Sequence, residues 1–249
     1  MVVEQLKQRY NFSFERLSVK GNRPTNEDRI HIINEDDWQL ILLADGMGGY
    51  NNGEIAAELA IQSIEKRFLQ STNDSIEKIN DVFAEANDLI NDRVSGAGTT
   101  LGGVFIRGEN INIFWAGDVR IYITELDSLN TQFVTKDHNL AQLMKDSKVV
   151  INATEIDRLR NTVTRGLGGN SSAYLPDSVS LNFLGNLKGL ICSDGVHNLF
   201  TDSEFFTLLN HHNDQSIVET IEKRIAKNPS DNASVVIFSR VANSTGNIH

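Results

Sequence analysis

Three aspartates close apolar stretches of this chain and a fourth opens one. Ile41-Leu42-Leu43-Ala44 runs into Asp45-Gly46, and Leu190-Ile191-Cys192-Ser193 runs into Asp194-Gly195, two near-copies of one unit. Phe114-Trp115-Ala116-Gly117 ends at Asp118, and Asp231 stands just before the apolar run from Ala233 to Phe238. Taken singly, each acid reads as a turn former, because Asp-Gly is a common turn dipeptide and an Asp-Asn pair bonds readily to its own backbone. Taken together they point to different chemistry. In antiparallel sheets the end of one strand lies beside the start of its neighbour, so four such carboxylates can gather at one edge, although spacing alone does not show that they do. Carboxylates brought within about 4–6 Å repel one another and resist ionisation, and a divalent cation with oxygen ligands is the usual remedy. The stretch Gly21-Asn22-Arg23-Pro24-Thr25-Asn26-Glu27-Asp28 adds a cation and two more acids. Read alone it is a solvated turn. Beside a metal cluster, Arg23 can present a planar guanidinium that holds a phosphate through paired hydrogen bonds.

The elements that must position these groups follow from hydrophobic period. Strands are expected at 12–19, 29–34, 38–44, 100–107, 110–116, 120–125, 132–135, 178–181, 188–193 and 233–241. Apolar residues at three-and-four spacing predict amphipathic helices over 55–68 and 76–94. A second helix pair is expected near the end, one capped by Ser203 over 204–209 and one capped by Ser216 that stops before Pro229. Two hairpins are expected, one around the turn in Ile106-Arg107-Gly108-Glu109-Asn110-Ile111 and one through Ala116-Gly117-Asp118-Val119-Arg120. Runs of strands broken by helix pairs, without steady βαβ alternation, give an α+β class with antiparallel sheets covered by helices. The polar stretch 138–175 carries charges of both signs and reads as a mobile insertion near a site, and the last residues read as a frayed tail.

Composition narrows the function. The 249 residues are 40% hydrophobic, enough for one sizeable core, and nothing divides the chain, so a single domain over 1–249 is expected. A formal net charge of -10 with no Lys/Arg run argues against nucleic acid and anionic membranes and favours cationic ligands. The single cysteine, Cys192, excludes an internal disulfide and reads as core packing; with no long apolar run and no signal-peptide pattern, a cytoplasmic location is expected. His211, His212 and His249 read as surface residues.

In order along the chain, GNRPTNED, ADGMGG, GTT (98–100), AGDVR (116–120), Asp137-His138, TRGLGG (164–169), SDG (193–195) and DNAS (231–234) resemble the motif series of the metal-dependent protein serine/threonine phosphatases of the PPM, or type 2C, family, in its bacterial form. Each motif is weak alone, and eight in order are specific. Three departures are small: Gly21 lies one residue nearer the arginine, Val119 replaces a serine, and Ala233-Ser234 follows Asp-Asn.

The resemblance implies a four-layer αββα sandwich, two antiparallel sheets face to face and flanked by helix pairs, with 138–175 as a flap. It implies that Asp45 bridges two Mg²⁺ or Mn²⁺ ions, with Asp194 and Asp231 completing the first and Glu27 and the Gly46 carbonyl serving the second. Asp28 would bind a metal-held water, Asp118 with Asp194 would hold a weaker third ion, and Arg23 would clamp phosphate. The implied reaction is hydrolysis of phosphoserine or phosphothreonine by a water activated between the ions. Met47 stands where many eukaryotic members have a histidine, which leaves protonation of the leaving oxygen to water, while His138 is expected to be structural. Implied partners are phosphorylated proteins, a serine/threonine kinase or its targets, met by a monomer. Two rival readings remain: a two-metal phosphodiesterase or nuclease, disfavoured by the lack of a basic groove, and a non-catalytic or weakly active regulatory module, disfavoured by the presence of every acid.

Overall fold

The computed structural model describes residues 10–48, 52–70, 76–127, 131–149, 152, 155–169 and 171–243. The expected tail, with His249, lies outside the described residues, as does Gly49 of the ADGMGG motif.

All ten expected strands form, in two wholly antiparallel sheets. One sheet runs in the order β1 (Tyr10–Val19), β11 (Ala233–Ala242), β10 (Leu187–Cys192), β6 (Arg120–Glu125), β7 (Gln132–Val134). The other runs β2 (Asp28–Asn34), β3 (Gln39–Met47), β4 (Gly98–Arg107), β5 (Asn110–Ala116), β9 (Asp177–Asn182), with a two-residue strand β8 (Leu167–Gly168) paired to β4.

The sheets pack face to face and helices cover both outer faces. Residues of β3 show why its sequence is an unbroken apolar run: Leu40, Leu42 and Ala44 point to a core shared with helices α1 (Asn52–Gln70) and α2 (Ile79–Arg93), while Ile41 and Leu43 point to the core between the sheets. On the other side, Val235 and Ile237 of β11 pack with α5 (Asp194–His197), α6 (Asp202–His211) and α7 (Asp214–Lys227), and Val236 and Phe238 face the inter-sheet core. Three cores between four layers make the α+β, αββα arrangement. Cys192 is fully buried in the third core, as its apolar strand required.

Three expectations need correction. The segment 116–120 is not a hairpin. β5 ends in one sheet and β6 begins in the other, so the chain crosses between sheets at Gly117, whose φ of +108° turns it away from the ladder. The caps also differ. α6 is capped by Thr201, which forms a capping box with Glu204, and α7 by Asn213, whose side chain accepts from the Ser216 N–H. Each cap sits one residue before its helix's first residue, two and three residues ahead of the expected Ser203 and Ser216, because the apolar period alone located the starts too late. Within 138–175 two short helices form, α3 (Leu140–Asp146), capped by Asn139, and α4 (Ile156–Arg160). The base of this stretch is pinned by Leu140 N–H to the Thr162 carbonyl, Thr164 N–H to the His138 carbonyl, and a β-bridge between Asn139 and Val163.

Candidate active site

Antiparallel register places the acids. Asp45, at the end of β3, lies directly opposite Asp28 on β2 and Thr100 on β4. Asp194 opens α5 immediately after β10, Asp231 leads into β11 beside it, and Asp118 occupies the crossing between sheets. The result is one cleft of about 880 Å³ whose walls include Arg23, Glu27, Asp45, Gly46, Asp118, Asp194 and Asp231. Asp28 lies just beneath it, almost fully buried. Among the described residues, no three His, Cys, Asp or Glu side chains stand close enough together to hold a metal ion as they are placed. Asp231 is turned to Arg23, whose Nη2 donates to Asp231 Oδ2 at 2.7 Å.

The electrostatics of the cleft are those of acids crowded into low dielectric. Burial, then Asp231 and Asp28, push Asp194 up to about 7. Burial pushes Asp28 up to about 6, against the opposing bonds of Ser234 and Ser193. Asp45, chiefly by burial and then by Asp28 and Asp194, and Asp118, by burial and then Asp194, are raised well above the usual carboxylate range. Glu27 is raised for the same leading reason, burial.

The donor set suits a hard divalent cation. Carboxylate oxygens of Glu27, Asp45, Asp118, Asp194 and Asp231 line the cleft together with Thr100, whose buried Oγ1 has no hydrogen-bond partner, and Oδ1 of the buried Asp28 has none either. Gly46 is fixed by close approach, because a Cβ there would stand 2.2 Å from the Gly53 carbonyl oxygen at the start of α1. Its own N–H donates to the Glu27 carbonyl at 3.3 Å, which holds the two expected metal-side groups side by side at the end of the β2–β3 pair.

The Protein phosphatase 2C family pattern matches residues 19–165, the stretch that carries Arg23 through Asp118 and the base of the insertion. The chain belongs to the protein phosphatase 2C family. Two curated relatives agree with that placement over nearly the whole chain. Protein phosphatase PhpP of Streptococcus pneumoniae is 26% identical over 236 residues, covering 89% of this chain and 94% of its own. Serine/threonine phosphatase stp of Listeria welshimeri is 26% identical over 239 residues, covering 88% and 91%. Among solved structures, the S. agalactiae serine/threonine phosphatase superposes with a TM-score of 0.77 at 23% identity, covering 92% of this chain and 99% of that one. The catalytic domain of serine threonine protein phosphatase PstP, in complex with 2 manganese ions, superposes with a TM-score of 0.74 at 23% identity, covering 93% and 99%. At that identity the structures speak for the fold.

Several residues that hold this 2C phosphatase site together had no expected role, although all of them but His197 stand within the motifs. Asn232 is the chief one. Its Oδ1 accepts from the Glu27 N–H at 2.9 Å and its Nδ2 donates to the carbonyls of Lys20 and Thr25, both at 2.8 Å, so the start of β11 carries the whole loop that presents Arg23 and Glu27. Ser193 joins three motifs: its Oγ donates to Asp28 Oδ2 at 2.8 Å and accepts from the Ser234 N–H at 3.0 Å. Thr99 Oγ1 donates to the Asp45 carbonyl at 2.9 Å. His197 Nε2 donates to the Asp118 carbonyl at 2.9 Å, and burial holds its imidazole neutral, at about 4. Arg120 grips Asp137 with two bonds of 2.7 Å, tying the crossing to the base of the insertion. His138 is structural, as expected. It accepts from the Gly117 N–H through Nδ1, meets Asp177 through Nε2 at 3.2 Å, and stacks on Trp115.

Asn232→Ala should therefore lower stability by about 1–3 kcal/mol, because the Glu27 N–H and two carbonyls lose their partner together. Thermal melts check the loss. A raised KM for phosphopeptide, with the released loop no longer fixing Arg23, is the accompanying kinetic sign.

Proposed function

We propose that this phosphatase hydrolyses phosphoserine and phosphothreonine in proteins using Mg²⁺ or Mn²⁺ held in the carboxylate cleft. The observation that carries the reading is that Arg23, Glu27, Asp45, Asp118, Asp194 and Asp231, far apart in sequence, line one cleft. The solved PstP relative, in complex with 2 manganese ions, supports the choice of metal. Bound there, two such cations lower the pKa of an attacking water and stabilise in-line displacement at phosphorus.

Asp45 would serve both ions, Asp194 and Asp231 would complete one, Glu27 and the Gly46 carbonyl would hold the other, and Asp118 with Asp194 would hold a third. Asp28 orders water beneath the cluster through its unpartnered oxygen. Arg23, more than half exposed at the rim, exchanges Asp231 for a phosphate, where its fork can make two charged bonds. No imidazole or thiol stands among the described residues lining the cleft, so the departing serine or threonine oxygen takes its proton from water.

The chain acts as one domain over 1–249 with 138–175 as a flap, whose Asn161 and Val163 reach the cleft wall. Among the described residues no helix is long and apolar enough to cross a membrane, and a cytoplasmic monomer acting on a serine/threonine kinase or its targets fits the charge and composition.

The test is phosphate release from a phosphothreonine peptide with Mn²⁺ and with EDTA, for the parent and for Arg23→Ala. Turnover should need metal, and the variant's KM should rise roughly tenfold to a hundredfold, the loss of a forked charged contact. Turnover in EDTA would overturn the mechanism, and an unchanged KM would remove Arg23 from phosphate binding.

A further inference from the structure

Behind the cleft wall formed by Asn161 and Val163 lies a second depression of about 480 Å³, between α3 and α4. The segment 160–163 separates the two: Arg160 lines the second depression, and Asn161 and Val163 line the first. In a chain of net charge -10, the second depression is rimmed by Lys145, Lys148 and Arg160, all exposed and with no ion pair among the described residues. Its acidic member, Asp137, is already neutralised by both bonds from Arg120.

Lys148 is set at this rim by the close of α3. With φ at +58° it forms the left-handed turn that ends the helix, its N–H donating to the Lys145 carbonyl at 3.0 Å and the Val149 N–H to the Met144 carbonyl at 2.9 Å.

We infer that this depression is a specificity subsite that receives an acidic side chain of the phosphoprotein substrate, a few residues from the phosphorylated serine or threonine. The inference rests on the phosphatase reading above. Segment 160–163 then divides one bound peptide between two clefts, the phosphate on the metal side and a flanking carboxylate on the lysine side. Exposed pairs of this kind are individually weak, so the effect is selective rather than essential.

The experiment compares phosphothreonine peptides in which one aspartate is walked through each position up to four residues either side of the phosphothreonine, against an all-neutral peptide. The parent enzyme should favour one or two placements by about threefold to tenfold in kcat/KM, carried in KM and reduced by salt, as two or three exposed ion pairs allow. The triple variant Lys145→Gln, Lys148→Gln, Arg160→Gln should lose that preference while keeping the parent's rate on the neutral peptide and on p-nitrophenyl phosphate. Lys148→Gly should melt no lower than the parent yet weaken the preference, which separates binding from folding. Absence of any placement preference, or its survival in the triple variant, overturns the subsite. So does a triple variant in which inhibition by inorganic phosphate weakens while peptide preference stays, since the depression would then hold free phosphate. Turnover of the neutral peptide by the parent reads the phosphatase assignment separately.

Discussion

Asp45→Asn should reduce phosphate release from a phosphothreonine peptide by roughly a thousandfold or more, the scale on which preorganised charge at a reacting centre is lost. The same change should make the metal-free protein more stable. Asp45 is the most central of the carboxylates, raised well above its ordinary range by burial and by Asp28, Asp194, Asp118 and Asp231 together. An amide of the same shape keeps the strand, and the bond from Thr99 to the residue 45 carbonyl is a main-chain contact that survives. What disappears is a charge the fold must desolvate and set against four others. At pH 8 in EDTA the variant should melt higher than the parent. In excess Mn²⁺ the order should reverse, because the parent gains a ligand that the variant holds poorly. A variant that melts lower than its parent in EDTA would mean that Asp45 is a structural turn former.

That pairing of lost activity with gained stability separates the two meanings that Asp45-Gly46 carries in the sequence. The acids were legible because each ends or begins a strongly apolar strand, and antiparallel register forces such ends together: Asp45 falls opposite Asp28 by strand pairing alone. The sandwich was legible for a related reason. A strand buried on both faces has no polar alternation, so runs such as Leu40 to Ala44 announce an interior position. Less could be read where the determinant is a contact between distant segments. Nothing local in Ala116-Gly117-Asp118 says that the chain changes sheets there; that depends on β6 finding β10, far along the sequence. Asn232 and Ser193 look like loop residues until their partners at Glu27, Lys20, Thr25 and Asp28 are known. The helices α3 and α4 are too short to show an apolar period, and α3 has no buried residue. Their sequence therefore looks like a polar loop, and its cationic rim stands out only once Lys145, Lys148 and Arg160 surround one depression.

Metal-free protein should lose stability as pH rises from about 6.5 to 8, and Mn²⁺ should abolish that loss. The sign follows from which state holds the protons. Asp194 and Asp28 have folded values near 7 and 6, above their ordinary value of 3.8. Below pH about 4 both folded and unfolded chains are protonated at these groups, so their contribution is fully present there. As pH rises the unfolded chain releases its protons first, and the contribution is lost until pH passes the folded values. Asp45 and Asp118, raised further, extend the decline upward. His197 opposes it. Burial holds its imidazole at about 4, so between pH 4 and its ordinary 6.5 the unfolded chain binds the extra proton and stability climbs with pH on its account. One imidazole against four carboxylates softens the fall below pH 6.5 and leaves it uncompensated above. Urea or thermal unfolding in EDTA across pH 5 to 8 should therefore show a descent throughout that grows shallower as pH passes the folded values of Asp28 and Asp194, on the order of several kcal/mol in all. With saturating Mn²⁺ the carboxylates give up their protons to bind the cation, so the stabilising increment should grow with pH and flatten the curve. Asp45→Asn should shrink both the descent and the metal increment together, because one carboxylate causes each. Stability that rises from pH 6.5 to 8 in EDTA would contradict the crowding of charge on which the site depends.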